Sequence, residues 1–532
     1  MKTSRPTTMA TRGMVSSPHY LASLAGLSVL QNGGSAVDAA IAVNATLGVV
    51  YPHMTGMGGD AFWLIYDAGT DALHALNGSG RSAAAATREL YRKAGHDAIP
   101  SRGAMSAVTV PGAVDSWCMA HERFGKLSLA DNLAGAIAYA RDGYPVSAGQ
   151  AAFTAMTADV LSEHKTTARI FMPEGRAPKT GEIMRFPALA ETMETVARQG
   201  RKGFYEGAVA GEIIRSLDAA GGYWQAEDLK GHRGSWDDPV GVDYRGYSCF
   251  QHPPNSQGFA HLMILNILEN FDVAALKSDP AAYIHLVVEA TKLAFVDRDR
   301  YLTDPEHAEI PLADLLSKEY AAELASRIDM NSAHPAQPVP MGQDTTATVV
   351  VDGDGNAVSI IQSLYHEFGS GLVAGDSGVL LQNRGSFFSL DAQHVNRLEA
   401  GKRCFHTLMP GMMFREGKPL LVYGTMGGEG QPQTSTAVAT RFVDFGDDVQ
   451  VAIDSPRWLY GRTWGEDTRN LRVEAQFGDS VTASLGQLGH PVEVIEPWSD
   501  LVGHAAAIRI DPDNGVLSGA ADPRGEGIAA GW

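Results

Sequence analysis

A proline-punctuated stretch, Asn331 to Gln343 (NSAHPAQPVPMGQ), divides this chain into two parts that follow different patterns. Before it, apolar residues recur mostly at helical spacing. After it, β-branched residues come in short runs bounded by Gly, Asp and Asn. The stretch itself holds three prolines and little that is apolar, so it reads as an exposed loop or linker. Sheets and helices each have a face that must be covered. A helical part followed by a strand-rich part therefore points to a layered α/β sandwich, antiparallel strands inside and helices outside.

The local signals support that reading. Pro18 to Leu30 has helical spacing and is stopped by Asn32-Gly33-Gly34. Ala36 to Leu47 is a second helix, apolar on nearly every side, which suits burial between layers. A turn, Thr55 to Asp60, leads into the aromatic run Ala61 to Tyr66, a buried strand. From about residue 85 to 330 the chain reads mainly as helix, including Ser128 to Ala140, Ser256 to Asn270, Ala281 to Arg300 and Leu312 to Ile328. Beyond the linker, Thr346 to Val351 and Ala357 to Ser363 form a hairpin about Asp352-Gly353-Asp354-Gly355-Asn356. Gly378 to Leu381 and Leu420 to Tyr423 are further strands, and a helix follows from about Thr434 to Phe445.

Several function classes are excluded at this level. The 532 residues contain no apolar run of about 18 without charge, so no membrane span is expected. A net charge of −19 repels phosphate backbones and argues against nucleic acid as a partner. Three cysteines are too few for a disulfide framework or a zinc ribbon. The opening MKTSRPTTMATRGMV lacks the apolar core of a secretory signal, which makes the cytoplasm the expected compartment.

Four local patterns could carry chemistry. Asp352-x-Asp354-x-Asn356 lacks the later Gly and Glu of a calcium loop and reads as the hairpin turn. Gly375-Asp376-Ser377-Gly378 matches the nucleophile stretch of trypsin-like proteases, yet the chain is helix-rich and cysteine-poor, so a turn is expected. Gly424 to Gly430 lies between a strand and a helix but lacks the Lys-Ser/Thr of a P-loop, and Glu429 would repel phosphate. Its amides could instead hold a developing oxyanion. No metal and no cofactor is expected. The fourth pattern, Asp344-Thr345-Thr346, lies where linker meets strand. A cut between Asp344 and Thr345 would give Thr345 a free α-amine, titrating near ~8, beside its own hydroxyl. Such an amine accepts the hydroxyl proton near neutrality and makes threonine a nucleophile without histidine.

At this point the chain resembles the γ-glutamyltranspeptidases, which are N-terminal-nucleophile (Ntn) hydrolases. GGSAVDAAIAVNATLGVVYPHMTGMGGDAF, TTATVVVDGDGNAVSIIQS, FGSGLVAGDSGVLLQN, GKRCFHTLMP and GTMGGEGQPQ match in order over nearly the whole length. The resemblance implies an αββα four-layer sandwich built from two intertwined subunits of one precursor. It implies a large subunit 1–344 and a small subunit 345–532 after autocleavage at Asp344–Thr345. The implied nucleophile is Thr345, with Ser363 at the supporting hydroxyl position, Gly427 and Gly428 as oxyanion-hole glycines, and Arg81 as the grip for a substrate carboxylate. A guanidinium suits a carboxylate by bidentate pairing.

The departures concern the substrate. An acidic residue that holds the glutamyl amine is replaced by Phe387, in Arg384-Gly385-Ser386-Phe387-Phe388. A family Asn becomes Tyr365, and the paired serines of the glutamate pocket become His406 and Thr407. This variant looks like a cytoplasmic subgroup that includes oxamate amidohydrolase-like proteins, with cephalosporin acylases more distant. The leading expectation is an amidohydrolase acting on an amide of a small carboxylate-bearing acid, with water as acyl acceptor. The mature form would be a heterodimer of its own fragments, with further dimerisation left open. One alternative is a γ-glutamyl hydrolase of glutathione, which needs Asp376, Glu367 or Glu429 as counter-charge for the amine. A second is an unprocessed, non-catalytic scaffold that binds small acids.

Overall fold

The computed structural model describes residues 3–335, 345–461 and 468–532. Two seven-stranded sheets form its centre, and every neighbouring pair in them is antiparallel. The first sheet runs, in spatial order, Ile528–Gly531, Met14–Ser17, Thr346–Val351, Ala357–Ser363, Asp60–Asp67, Ala72–Gly78 and Ser235–Asp237. The second runs Thr8–Ala10, Leu517–Ala521, Ala505–Ile510, Lys418–Thr425, Gly411–Arg415, Tyr247–Gln251 and Val240–Tyr244.

The alternation of side chains along Thr346–Val351 shows how the layers form. Val350 joins the cluster that includes the helix Ala36–Val50, whereas Val349 and Val351 join Met412, Val422 and Ile508 of the second sheet. All six residues are buried, because both faces of this strand are covered. The helix Ala36–Val50 is buried at every position, and Gly258–Leu268 is likewise buried along its length where it packs against the second sheet. The four layers are thus helix, sheet, sheet and helix, the αββα arrangement that the family resemblance implies.

Differences from the sequence reading have local causes. Ser235–Asp237, Val240–Tyr244 and Tyr247–Gln251 are strands inside the part read as helical. They form or adjoin sheet edges and are only partly covered, so their sequences carry no long apolar run. Gly378–Leu381 is not a strand. It makes single bridges, Val373 to Leu380 and Gly58 to Leu381, after a short 3-10 turn at Gly375–Ser377. The helix expected over Leu312–Ile328 is two short ones, Leu312–Leu315 and Lys318–Ala325, because Ser317 caps the second by accepting from the Tyr320 amide. Three strands near the C-terminus, Ala505–Ile510, Leu517–Ala521 and Ile528–Gly531, complete the two sheets and were not read from the sequence. Residues 336–344, including most of the predicted linker and Asp344, lie outside the described residues.

Candidate active site

Thr346 faces Gln362 across the central hairpin, so one further step in the same register sets Thr345 abreast of Ser363. Ser363 in turn faces Asp60 on the next strand. The three residues therefore stand side by side at one end of the first sheet, and all are buried. Gly59 permits this closeness: a Cβ there would lie 2.1 Å from the Ser363 carbonyl oxygen, which no side chain tolerates. The Ser363 hydroxyl accepts from the Tyr365 amide at 2.7 Å. Tyr365 is held at φ 86, a left-handed conformation costly for an aromatic residue and a common mark of functional loops.

The second sheet supplies the opposite wall. Immediately after Lys418–Thr425 the chain turns through Gly427 (φ 119) and Gly428 (φ 52), consecutive left-handed residues open to glycine. Backbone amides in tight glycine turns are groups from which anion-binding concavities are built. Gln257 fixes the turn, its side-chain amide donating to the Gly428 and Thr407 carbonyls, each at 2.9 Å. Glu429 follows and is paired with Arg298, which also donates to Gln257.

His406 and Thr407 lie within this network. His406 Nε2 is 3.1 Å from Asp60 Oδ2, and its ring meets Phe62 edge-on. Burial and the nearby Arg384 hold the imidazole well below its usual pKa, so it is neutral. Thr407 Oγ1 accepts from Arg384 Nη2 at 3.1 Å. Asp60 Oδ1 accepts from the Gly80 and Gly112 amides and from Gln382. Burial nonetheless pushes the Asp60 carboxyl up to about 7, against the pull of Gln382, Gly80 and Arg384. Burial likewise raises Glu429 to about 7, with Arg298 opposing.

The raised Asp60 value has a consequence for stability. The unfolded carboxyl ionises near ~4 and the folded one near 7, so between these limits the folded state holds the extra proton. Asp60 therefore favours folding most at low pH, and that contribution is lost as pH rises toward 7. Asp60→Asn keeps the shape without the titration. Its thermal midpoint should fall less than the wild type's between pH 5 and 8, measured by parallel melts; equal slopes would contradict the assignment.

Arg81, the residue expected to grip a substrate carboxylate, already has acidic partners. Its Nη2 is 2.6 Å from Glu306, and its Nη1 is 3.3 Å from Asp304 and 3.2 Å from the Gly401 carbonyl. Two carboxylates already balance this partly exposed cation. Phe387 ends the short 3-10 turn Arg384–Phe387, its ring 4.7 Å from Phe405 and 5.8 Å from Tyr365. With Arg298, Asp299, Leu302 and Phe405 it borders a cavity of about 220 Å³. The counter-charges that a glutathione hydrolase would need are engaged or exposed. Glu367 pairs with Arg102, Glu429 with Arg298, and the Asp376 side chain is 91% exposed.

Among the described residues one cluster has metal-ligand chemistry: His285, Glu289 and His490, all buried. Lys292 already occupies one Glu289 oxygen at 2.7 Å, and His285 Nδ1 lies 2.8 Å from His490 Nε2. The other Glu289 oxygen accepts from the His334 amide, so the group anchors the chain entering the linker.

A sequence model described as Gamma-glutamyltranspeptidase matches residues 22–532. The chain belongs to the γ-glutamyltranspeptidase family. It is thus an Ntn hydrolase acting on amide bonds. It is 53% identical to the glutathione hydrolase-like YwrD proenzyme of Bacillus subtilis (strain 168), over 98% of this chain and 99% of that one. It is 42% identical to the oxamate amidohydrolase proenzyme of Klebsiella pneumoniae, again over 98% and 99%. Among solved structures, a cephalosporin acylase from Bacillus halodurans superposes with a TM-score of 0.93 at 38% identity, covering 100% of this chain and 98% of that one. Two of the motifs quoted above, TTATVVVDGDGNAVSIIQS and GTMGGEGQPQ, form the hairpin and the glycine turn themselves. Asp60, Gln257, Arg298 and Arg384 converge there but were not singled out. Their signal is present: Asp60 ends the turn Thr55 to Asp60, and Arg384 lies in the same short stretch as Phe387.

Proposed function

We propose that this protein is an autoprocessing amidohydrolase with Thr345 as nucleophile, acting on an amide of a small acid that bears a carboxylate and no α-amine. The precursor cuts itself between Asp344 and Thr345, giving a large subunit 1–344 and a small subunit 345–532. Thr345 Oγ then attacks the substrate carbonyl while its own α-amine takes the proton and returns it to the leaving nitrogen. The Gly427 and Gly428 amides receive the oxyanion, and Ser363 steadies the nucleophile. An acyl-enzyme forms, and water releases the acid.

The observation that carries the substrate reading is the packing of Phe387 between Phe405 and Tyr365, where an amine would need a negative charge. An ammonium placed there would lose water without gaining a partner. The oxamate amidohydrolase relative, 42% identical, supports a donor of this kind by its name.

Supplying purified protein with oxamate and, separately, γ-glutamyl-p-nitroanilide distinguishes the donors. Ammonia release from oxamate is expected, with kcat/KM at least about 10²-fold above nitroaniline release, the scale of a missing polar partner. Strong turnover of the γ-glutamyl compound would favour the glutathione reading. No turnover and no cleavage would favour a scaffold.

A further inference from the structure

Arg384 is a buried cation with no carboxylate against it. The residue is 1% exposed, and among the described residues no ion pair includes it. A guanidinium has five N–H donors. Among the described residues this side chain makes one hydrogen bond, Nη2 to Thr407 Oγ1, while Nε and Nη1 have no described acceptor. Whichever Nη2 proton Thr407 takes, one complete edge of the guanidinium is left, either Nε with Nη2 or Nη1 with Nη2. The flat face is also used: it stacks on the Tyr365 ring at 4.0 Å.

The other buried arginines differ. Arg298, Arg457 and Arg524 each sit on a carboxylate. Arg441 has no ion pair among the described residues but gives its protons to the Ala452, Ser455 and Pro456 carbonyls. Burying an unpaired charge is expensive, and folds that do so without a use for it are rare.

The position of Arg384 suggests the use. Through Tyr365 it adjoins the amide that binds the Ser363 hydroxyl, next to Thr345. Through Thr407 and Gln257 it adjoins the glycine turn. It lies one residue, Tyr365, from the nucleophile's side of the reaction centre and two, Thr407 and Gln257, from the glycine turn. Asp60 and Glu429 act on it through space without bonding to it.

We infer that Arg384 is the substrate's carboxylate receptor and that the substrates are monoamides of short dicarboxylic acids, carboxylate and scissile carbonyl adjacent or a few atoms apart. This rests on the amine-less-donor reading above and goes further, naming the residue and the acid. The carboxylate takes the open guanidinium edge by bidentate pairing, while the carbonyl turns toward Gly427 and Gly428. The same cation repels an α-ammonium, so it selects against amino-acid donors as well as for these acids.

The test compares oxamate, malonamate and succinamate with oxamide, the neutral counterpart of oxamate. Arg384→Met should still yield two fragments, lose about 10²-fold or more in kcat/KM on the best of the three acids, mainly through KM, and change little on oxamide. Should the methionine variant arrive uncleaved, Arg384→Lys keeps the buried cation and carries the test, with KM for the acid expected about tenfold higher. The inference is overturned if cleaved Arg384→Met, or Arg384→Lys in its stead, hydrolyses the acid as well as wild type, or if Arg81→Met alone removes the acid preference. Failure of the underlying reading looks different: wild type would then prefer the γ-glutamyl donor over all three acids.

Discussion

Thr345→Ala should run as one band near 56.6 kDa and show no amidase activity above background. Wild type should run as two fragments that begin at residues 1 and 345. The alanine removes the hydroxyl that attacks in precursor cleavage and in turnover, so both readouts fail together. Loss of at least about 10⁴-fold is the scale for removing a nucleophile. Thr345→Ser keeps a hydroxyl beside an α-amine and should still cleave and turn over at reduced rate. N-terminal sequencing of the smaller fragment decides the register: a first residue other than Thr345, or an alanine variant cut like wild type, would sink the mechanism.

Gly427→Ala should leave KM within a fewfold of wild type and lower kcat by about 10²–10³, the cost of losing one preorganised oxyanion donor. A methyl group here meets two constraints. The residue sits at φ 119, where side chains are strained, and its Cβ would lie 3.1 Å from the Gly503 Cα. Gly503 cannot withdraw freely, being at φ 77 with its own would-be Cβ 2.1 Å from the Met426 carbonyl oxygen. The turn must move, and with it the amide directions. Precursor cleavage should slow in parallel if it uses the same amides. Unchanged kcat on the best donor would show that the oxyanion lies elsewhere.

Residue pattern made the inner layers readable. Thr346–Val351 and Ala357–Ser363 carry β-branched runs on either side of an Asp-Gly turn, and the strand limits agree with the sequence reading. Edge strands such as Val240–Tyr244 escaped it because a half-covered strand needs few apolar residues. Leu312–Ile328 kept helical spacing across a break that a single serine cap imposes. The site followed the same rule. The hairpin and the glycine turn are local in sequence and could be marked there. Asp60, Gln257 and Arg384 come from distant segments, and only the packing of the two sheets brings them to Thr345's neighbourhood. Whether an arginine is spent on an acid, as Arg81 is on Asp304 and Glu306 more than two hundred positions away, or left open, as Arg384 is, depends on the folded packing.

The strand that begins just after Thr345 lies between Met14–Ser17 and its own hairpin mate, and that mate lies against Asp60–Asp67. A break before Thr345 would leave the smaller piece laced on both flanks into the larger one, with no seam along which they could part. The connectivity that guided assembly would be gone, however, while the assembled form remained. A mature molecule that once came apart would lack the instructions for return, so its working lifetime would follow the rate of first opening and not any equilibrium between folded and unfolded forms.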